Sequence, residues 1–509
     1  MAIELKGDYF GGQFHSRLNP FTTAGLDSAD ESIKKYCPAD LKNHLWTCAV
    51  DYQHIEKVIT SSNDGYKSWR KLSTHDRANY IGKYKEILEK RKNEIAEAIS
   101  YETGRPLWEA ELEAAWLSAK VDSTLNESLK RVETKHFENI APGTHGRLSF
   151  KSIGPALVIG PFNFPCHLAN GQILSALITG NSIIFKPSDK TIFSGQLLIE
   201  CFHEAGFPSG VINFITGTAE TGRRLLKEKS IKGVYFTGSM EVGKQILKTT
   251  HQDLTKLVAL ELGGKNTTII HKDAKIDHAM AELVRASFLT TGQRCTSTSI
   301  VAIHDSIKDE FIDRFHKLAK RLVIDHPIEF EKEPFMGPLI DQKAVDNYLL
   351  FMGMGKREGY SEIMRGKCIQ KKHEGYYVSP SIHYIEDPSK KSVFFSSELF
   401  APNVIFTPYT EIDDAINISN MSQYGLAASV FTEDKVLFNQ CISEIETGLI
   451  NLNKSTIGAS SKLPFGGFKN SGNYRSAGIS MIDHTVHTQS ALEIEAEDDV
   501  DFDQIKGIN

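Results

Sequence analysis

The sequence predicts an α/β protein built around two parallel β-sheets. Short apolar runs alternate with helical segments from residue 150 onward, and a second series of the same kind starts near residue 266. Strand, helix and strand at such short spacing form right-handed βαβ units, which build parallel sheets. The chain of 509 residues also exceeds the usual length of one domain, so we expect two or three domains.

The hydrophobic pattern places the elements in chain order. We predict helices over residues 53–132, because apolar residues in the stretch 80–99 recur at helical spacing among many charged residues. The strands of the first sheet are predicted at 155–160, 182–187, 210–216, 232–238 and 257–264. The second sheet is predicted from 266–271, 297–304, 402–408, 426–432 and 448–453, with helices at 275–288 and 308–322. Ligands bind at the carboxyl ends of parallel strands, so functional residues are expected in the loops that follow them.

Composition excludes several classes of protein. The net charge is −6 and no basic run occurs, which argues against a nucleic-acid partner. No stretch approaches the roughly 20 apolar residues of a membrane span, and the first residues do not resemble a secretory signal. The seven cysteines are scattered and form no C-x-x-C pair, so we expect a reducing cytoplasm, no disulfide framework and no metal site.

Four loops carry candidate chemistry. Asn163 in PFNFP follows a predicted strand, where its amide could stabilise an oxyanion or simply form a turn. In FTGSMEVG, residues 236–243, a strand ends and a helix begins, and backbone N–H groups at a helix start suit a diphosphate. GTAETG, residues 217–222, is a similar junction, and a plain strand-to-helix turn is the alternative for both. Lys186 and Asp189 in KPSDK could reach the hydroxyls of an adenine ribose, or could belong to a solvated loop. An acidic group at this position favours an unphosphorylated 2′-OH and repels a 2′-phosphate, and neighbouring Lys190 weakens that argument.

Two further residues suggest a covalent mechanism. Glu261 in ELGGKN follows an apolar strand, and a partly desolvated glutamate can act as a general base. Cys295 in TTGQRCTSTS lies among small and polar residues beside Arg294. A free cysteine is more often a small packing residue than a nucleophile, so this residue type alone does not decide its role.

Together these motifs resemble the aldehyde dehydrogenase superfamily over nearly the whole chain. The resemblance rests on PFNFP, KPS, FTGSMEVG, ELGGK, GQRCT, SELFAP and PFGGFKNSG, which occur in the family's order. It implies a cofactor domain, a catalytic domain and a small β element for oligomerisation, all in an aldehyde dehydrogenase-like fold. We expect the NAD-binding domain at 1–133 and 151–262, the catalytic domain at 263–460, and the oligomerisation element at 134–150 and 480–500. Residues 487–494 are expected to form an exchanged edge strand in a homodimer or homotetramer.

The resemblance also implies the roles of individual residues. Cys295 is then the nucleophile, Glu261 the general base and Asn163 the oxyanion donor. The thiolate attacks an aldehyde, hydride passes to the nicotinamide, and water activated by the base hydrolyses the resulting thioester. The cofactor-binding residues are then Lys186, Ser188, Asp189, Gly222, Gly238, Ser239, Met240, Glu241, Val242, Gly243, Glu398 and Phe400.

Within the superfamily the chain resembles the N-succinylglutamate 5-semialdehyde dehydrogenase subfamily of arginine catabolism. Residues 160–181, GQRCTS and SGNYRSAG carry this likeness, whereas FKN at 468–470 and Ala401 depart from the subfamily pattern. We expect Phe164, Ser455, Ser460 and Arg475 to bind the substrate, with interface pairing as the alternative role for the arginine. Oxidation of glutamate or succinate semialdehyde, a non-catalytic binding protein and a thiol esterase are the other hypotheses.

Overall fold

The computed structural model describes residues 3–16, 32–388, 391–495 and 506–507. Its strands are β1 Asp8–Phe10, β2 Gln13–His15, β3 Ser32–Cys37, β4 Asp40–Ala49, β5 Lys135–Ala141, β6 Thr144–Ser152, β7 Ala156–Ile159, β8 Ile183–Lys186, β9 Ile212–Phe214, β10 Gly233–Thr237, β11 Leu257–Glu261, β12 Asn266–Ile270, β13 Thr298–His304, β14 Ser361–Met364, β15 Ser381–Tyr384, β16 Asn403–Tyr409, β17 Tyr424–Gly425, β18 Ala427–Phe431, β19 Leu449–Leu452, β20 Pro464–Phe465, β21 Phe468–Lys469, β22 Ala477–Gly478 and β23 Val486–Ile494.

The α-helices are α1 His54–Trp69, α2 Thr74–Thr103, α3 Leu107–Ser123, α4 His167–Ile178, α5 Ile192–Glu204, α6 Ala219–Leu226, α7 Met240–Thr250, α8 Ile276–Phe288, α9 Lys308–Ala319, α10 Gln342–Arg357, α11 Val393–Ser396, α12 Ile412–Asn420 and α13 Lys435–Glu444. Helix α2 begins where the Ser73 side chain accepts a hydrogen bond from the Asp76 N–H, and ends at Gly104, whose φ of 76° is left-handed. The helices predicted for residues 53–132 are therefore confirmed.

The first large sheet has the strand order β11-β10-β7-β8-β9-β1-β2. Strands β7 to β11 are parallel, and β1 joins β9 antiparallel. The chain runs from β7 outward to β9, then returns to β10 on the opposite side of β7. Strand order therefore reverses between β7 and β10, and the loops after these two strands diverge to leave a crevice.

The second large sheet has the order β14-β15-β16-β13-β12-β18-β19, in which only β14 among the described strands is antiparallel to its neighbour. Each predicted strand of both sheets is confirmed within a few residues. The short segment after β11 leads directly into β12, so the carboxyl edge of the first sheet meets the amino edge of the second. The two sheets form the parallel-sheet domains of an α/β fold.

Both sheets are covered on both faces, which explains their continuous apolar runs. Successive side chains of a strand point to opposite faces, so Ile269 and Ile270 of β12 belong to different clusters of buried side chains. Leu157 and Val158 of β7 are divided in the same way. No helix in the described ranges is both long and apolar enough to cross a lipid bilayer.

A separate three-stranded sheet has the order β23-β6-β5. Strand β23 pairs antiparallel with β6 of its own chain along its whole length, from Val486 opposite Ser152 to Ile494 opposite Thr144. The predicted strand at 487–494 is confirmed as an edge strand. Residues 496–500 of the predicted oligomerisation element, and residues 1–2 and 17–31 of the predicted NAD-binding domain, lie outside the described residues.

Candidate active site

A cavity of about 1170 Å³ opens at the crevice between β7 and β10 and extends to the amino edge of the second sheet. Its size exceeds that of a typical small-molecule pocket, about 300–1,000 Å³, and is sufficient for an extended dinucleotide. The cavity brings together most of the residues expected from sequence: Asn163, Lys186, Ser188, Asp189, Gly222, Gly238, Ser239, Met240, Glu241, Val242, Cys295, Glu398 and Phe400.

One wall of the cavity is the start of helix α7. Ser239 caps this helix and its side chain accepts a hydrogen bond from the Val242 N–H at 3.4 Å. Gly243 in the first turn does not line the cavity but lets the helix approach the end of β11, since a Cβ there would lie 2.7 Å from the Leu262 side chain. The free N–H groups of the first turn can hold an anion such as a diphosphate.

Two buried charged groups lie at opposite parts of the same cavity. Burial lowers the pKa of Lys186 to about 8, and its Nζ donates to the Pro187 carbonyl at 3.1 Å. Burial raises the pKa of Glu398 to about 7, although its Oε1 accepts a hydrogen bond from the Gly264 N–H at 3.0 Å. A Cβ at Gly263 would lie 1.9 Å from the Glu398 Oε2, which explains a glycine there. Both groups can hydrogen-bond ribose hydroxyls.

Asp189 is exposed at the mouth of this cavity. The lysine next to it does not pair with it. Instead, the Lys190 Nζ lies 2.6 Å from Asp341 Oδ2 and 4.9 Å from the Phe162 ring centroid. The Asp189 carboxylate is therefore not paired with Lys190, and its charge acts instead on the buried Lys186.

The turn before Cys295 has a strained backbone. Thr290 and Thr291 have φ of 56° and 55°, and Gly292 has φ of 69°. Left-handed conformations cost non-glycine residues about 1–3 kcal/mol each, and they persist only where the surroundings hold them. At Gly292 a Cβ would lie 2.4 Å from the Ala401 carbonyl oxygen, so only glycine is accommodated.

A buried ion-pair network holds this turn. The Glu109 carboxylate accepts hydrogen bonds from the Thr290 N–H at 3.1 Å and from the Thr290 hydroxyl. The Arg294 Nη2 donates to the same carboxylate at 2.6 Å, and its Nε donates to Thr290 Oγ1 at 2.7 Å. Burial alone would raise the pKa of Glu109, but the charges of Arg294 and Arg105 hold it below its ordinary value. The carboxylate is therefore ionised and fixes the geometry of the turn at residues 290–294, directly before Cys295.

Asn163 lies against the same turn. Its Nδ2 donates one hydrogen bond to the Gln293 carbonyl at 3.0 Å, which leaves the second N–H of the amide for a substrate oxygen. Burial, together with Glu398 and Glu261, raises the pKa of the Cys295 thiol to about 12. The thiol is thus protonated at neutral pH and must lose its proton during any nucleophilic attack.

Glu261 ends strand β11 and is only 4% exposed. Its Oε1 accepts a hydrogen bond from the Ser476 hydroxyl at 3.2 Å, while Oε2 has no hydrogen-bond partner among the described residues. Burial raises the pKa of this carboxyl to about 8, and the Ser476 hydrogen bonds and the Arg475 charge oppose the rise. Glu261 does not line the large cavity but is close enough for its charge to disfavour the Cys295 thiolate.

The residues expected to bind substrate are not all brought together. The Phe164 ring contacts two guanidinium groups. Its centroid lies 4.6 Å from the Arg105 Cζ and 5.0 Å from the Arg294 Cζ. The Arg475 Nη1 donates to the Gly467 carbonyl at 2.6 Å, and its guanidinium stacks on the Phe468 ring. Ser455 is buried, and its backbone N–H donates a hydrogen bond to the Glu282 carboxylate. Ser460 is exposed, and its hydroxyl oxygen accepts a hydrogen bond from the Lys462 N–H. None of these four residues lines the large cavity among the described residues.

Sequence reasoning missed the residues that support the site. Glu109 and Glu113 occupy positions i and i+4 of α3, and both are buried. Buried acids one helical turn apart indicate ionic partners elsewhere in the chain, but their spacing cannot identify those partners. Apart from its position after Arg475, nothing in the sequence indicated that Ser476 donates a hydrogen bond to Glu261.

Comparison with known proteins agrees with this arrangement. The model of the aldehyde dehydrogenase family matches residues 26–491, and the chain belongs to that family. It is therefore an aldehyde dehydrogenase by fold and site, and the family predicted from the motifs is confirmed.

The similar curated relatives narrow the class further. N-succinylglutamate 5-semialdehyde dehydrogenase of Legionella pneumophila (strain Corby) is 36% identical over 96% of this chain and 95% of its own length. The enzyme of the same name from Photorhabdus laumondii is 31% identical, with 96% coverage of each chain. Among solved structures, 1-pyrroline-5-carboxylate dehydrogenase from Thermus with bound NAD has a TM-score of 0.86 at 25% identity and covers 96% of this chain and 93% of that chain.

Proposed function

We propose that this enzyme oxidises N-succinyl-L-glutamate 5-semialdehyde to N-succinylglutamate with NAD. The observation that supports the proposal is that Cys295 and Asn163 line one cavity together with Lys186, Glu398 and the first turn of α7, with Glu261 buried close to Cys295. The curated relatives that cover nearly the whole chain support the choice of substrate.

The proposed first step is attack of the Cys295 sulfur on the aldehyde carbon. The thiol loses its proton as the C–S bond forms, and the Glu261 carboxylate, with a pKa of about 8, is a neighbouring group able to accept it. The second N–H of Asn163 and the backbone N–H of Cys295 stabilise the oxyanion. Each such donor contributes about 10²–10³ in rate in other enzymes.

A bound nicotinamide would supply the acceptor for the hydride of the tetrahedral carbon. The residues that would hold the cofactor are the first turn of α7, Lys186 and Glu398, which line one cavity of about 1170 Å³. Glu261 first releases the proton of the thiol to solvent and then accepts a proton from the water that attacks the thioester carbon. The C–S bond breaks, the carboxylic acid leaves, and the Cys295 sulfur regains its proton from Glu261. A buried carboxylate with a pKa near neutrality can both accept and release a proton at each turnover. Its presence favours hydrolysis over transfer of the acyl group to coenzyme A.

The cofactor preference is part of the proposal. The exposed carboxylate of Asp189, which Lys190 does not neutralise, supports NAD over NADP. Solved relatives that contain NAD, such as the Thermus enzyme, support use of a nicotinamide dinucleotide.

Assembly into a homodimer or homotetramer is also proposed. Strand β23 has one unpaired edge in the described chain and exposes Leu492 and Ile494, at 72% and 71% of their surface. Exposed apolar edge strands pair readily with another strand. We assign residues 134–150 and 480–500 to this element, 1–133 and 151–262 to the cofactor domain, and 263–460 to the catalytic domain.

The test is a steady-state assay of NADH formation. Purified protein is given N-succinylglutamate, glutamate and succinate semialdehydes, each with NAD and then NADP. We expect the highest kcat/KM for the succinylated substrate with NAD. Cys295→Ala should abolish turnover and leave NAD binding by calorimetry nearly unchanged. Glu261→Gln should give about one equivalent of NADH per site and then stall, because the amide cannot take a proton from water. Higher efficiency on another semialdehyde would refute the substrate assignment.

Thiol esterase activity and cofactor binding without catalysis are separated by the same assay. An esterase would hydrolyse an activated ester without NAD at a rate comparable to the dehydrogenase reaction, and a binding protein would form no NADH with any aldehyde.

A further inference from the structure

Helix α3 carries a buried lysine that has no anionic partner among the residues that the structure describes. Lys120 is 5% exposed, and its Nζ donates to the Gly478 carbonyl at 3.1 Å. No carboxylate of the described residues lies within 4 Å of this nitrogen. Burial of an ammonium group is strongly unfavourable unless an opposite charge or several hydrogen bonds compensate it. Lys186 and Lys265, by contrast, are each stabilised by the charge of a nearby acid.

A second unpartnered polar group lies near Lys120. His167, at the start of α4, has a buried Nδ1 that makes no hydrogen bond among the described residues. Burial, together with the charges of Lys120 and Arg105, lowers the pKa of His167 to about 4, so Lys120 lies within electrostatic range of the ring. At Gly171, one helical turn further along α4, a Cβ would lie 3.1 Å from the Lys120 Cε. The glycine thus makes room for the lysine side chain.

This pair lies beside the catalytic residues but outside the nucleotide cavity. Trp116 of α3 packs against the His167 ring at 5.5 Å and against Phe164 at 6.3 Å, and Phe164 directly follows Asn163. On the other side, Gly478 follows Ser476, the partner of the proposed base, by two residues. Lys120, His167, Trp116 and Phe164 are absent from the lining of the large cavity.

We propose that Lys120 and His167 form a subsite for a carboxylate that the substrate carries away from its aldehyde. The inference rests on the proposed function, because it assigns the substrate class of that same active site. The Lys120 ammonium supplies the charge, and the neutral His167 ring donates from Nδ1 in the appropriate tautomer. A carboxylate delivered by the substrate would satisfy both groups at once, whereas an uncharged aldehyde would leave them unpaired. The subsite therefore selects anionic semialdehydes.

The test compares Lys120→Met with a matched variant, Lys256→Met. Lys256 also has a buried side chain, which donates to the backbone carbonyls of Leu226 and Glu228 and lies 3.9 Å from Asp253. It directly precedes strand β11, at the opposite end of that strand from Glu261. Both variants are assayed with NAD on N-succinylglutamate semialdehyde and on hexanal. Loss of one partner of a buried charge pair typically costs about a hundredfold or more. We expect Lys120→Met to lower the ratio of kcat/KM for the two aldehydes by about that factor, and Lys256→Met to leave the ratio unchanged.

Binding of the product provides a readout independent of turnover. Titration of N-succinylglutamate into wild-type protein by calorimetry should give saturable binding that Lys120→Met weakens at least about tenfold. Gly171→Ala, which keeps the lysine but crowds its Cε, should weaken binding to a smaller degree. Equal losses on both aldehydes, or unchanged product affinity, would show that Lys120 only joins α3 to the C-terminal segment. If wild-type protein oxidises neither aldehyde, the proposed function itself fails, and the subsite fails with it.

Discussion

Replacement of Glu261 by Gln should stabilise the enzyme in alkaline solution while it stops turnover. Burial raises the pKa of this carboxyl from 4.5 to about 8, since one oxygen has no partner and the other has a single hydroxyl. The folded protein therefore holds the proton more tightly than the unfolded chain does. Wild-type stability falls, relative to a variant that does not titrate, as pH rises from about 4.5 through about 8.

The size of the effect follows from the two pKa values. A difference of one unit between the folded and unfolded pKa corresponds to about 1.4 kcal/mol. Ionisation of Glu261 therefore lowers the unfolding free energy by on the order of 4–5 kcal/mol above pH 8, and by less than about 1 kcal/mol at pH 5. For a chain of this length, the unfolding entropy means that a change of about 1 kcal/mol in unfolding free energy shifts the melting temperature by about 1 °C. The Glu261→Gln variant should thus melt about 4 °C above wild type at pH 9 and within about 1 °C of it at pH 5.

The assay is a thermal melt at pH 5, 7 and 9, with Glu109→Gln as the matched control. Glu109 is equally buried, but its pKa is lowered by the neighbouring arginines. Its loss should leave Arg294 without a buried partner and cost about 3–5 kcal/mol at pH 7 and 9, so that variant should melt below wild type. A Glu261→Gln variant that melts at or below the wild-type temperature at pH 9 would refute the desolvation argument.

Three other perturbations have defined outcomes. Ser476→Ala removes a hydrogen bond that favours the ionised form of Glu261. The rising limb of the pH profile for thioester hydrolysis should therefore move to higher pH by about one unit, and an unchanged profile would show that the hydroxyl does not act on the base. Asp189→Ser should narrow the preference for NAD over NADP about fivefold, the size expected for one solvated charge, as measured by the ratio of kcat/KM values; no change would mean that the carboxylate does not face the ribose. Arg475→Ala should lower efficiency on charged and uncharged aldehydes by a similar factor, because its guanidinium is occupied by a backbone carbonyl and the Phe468 ring, and a loss confined to the carboxylated substrate would instead make it a substrate contact.

Much of the framework could be predicted from sequence because its signals are local. Parallel strands that are buried on both faces are short apolar runs, and α7 begins at a serine cap that the sequence displays in FTGSMEVG. Motif order identified Asn163, Cys295 and Glu398 on loops and Lys186 at the end of strand β8, and the fold gathers these residues around one cavity.

The sequence by itself determined the fold class, the family and the residues that bear the proposed chemistry, since each depends on a motif of a few adjacent positions. Only the tertiary structure decided what surrounds those residues. Lys190 turns from Asp189 to Asp341, Arg475 turns to a carbonyl, and Glu109 reaches across 181 positions to fix Thr290. Partners so distant in the chain meet only when the sheets and helices pack. Burial also exists only in the folded protein, where it raises the pKa of Glu261 and encloses Lys120 against the Gly478 carbonyl.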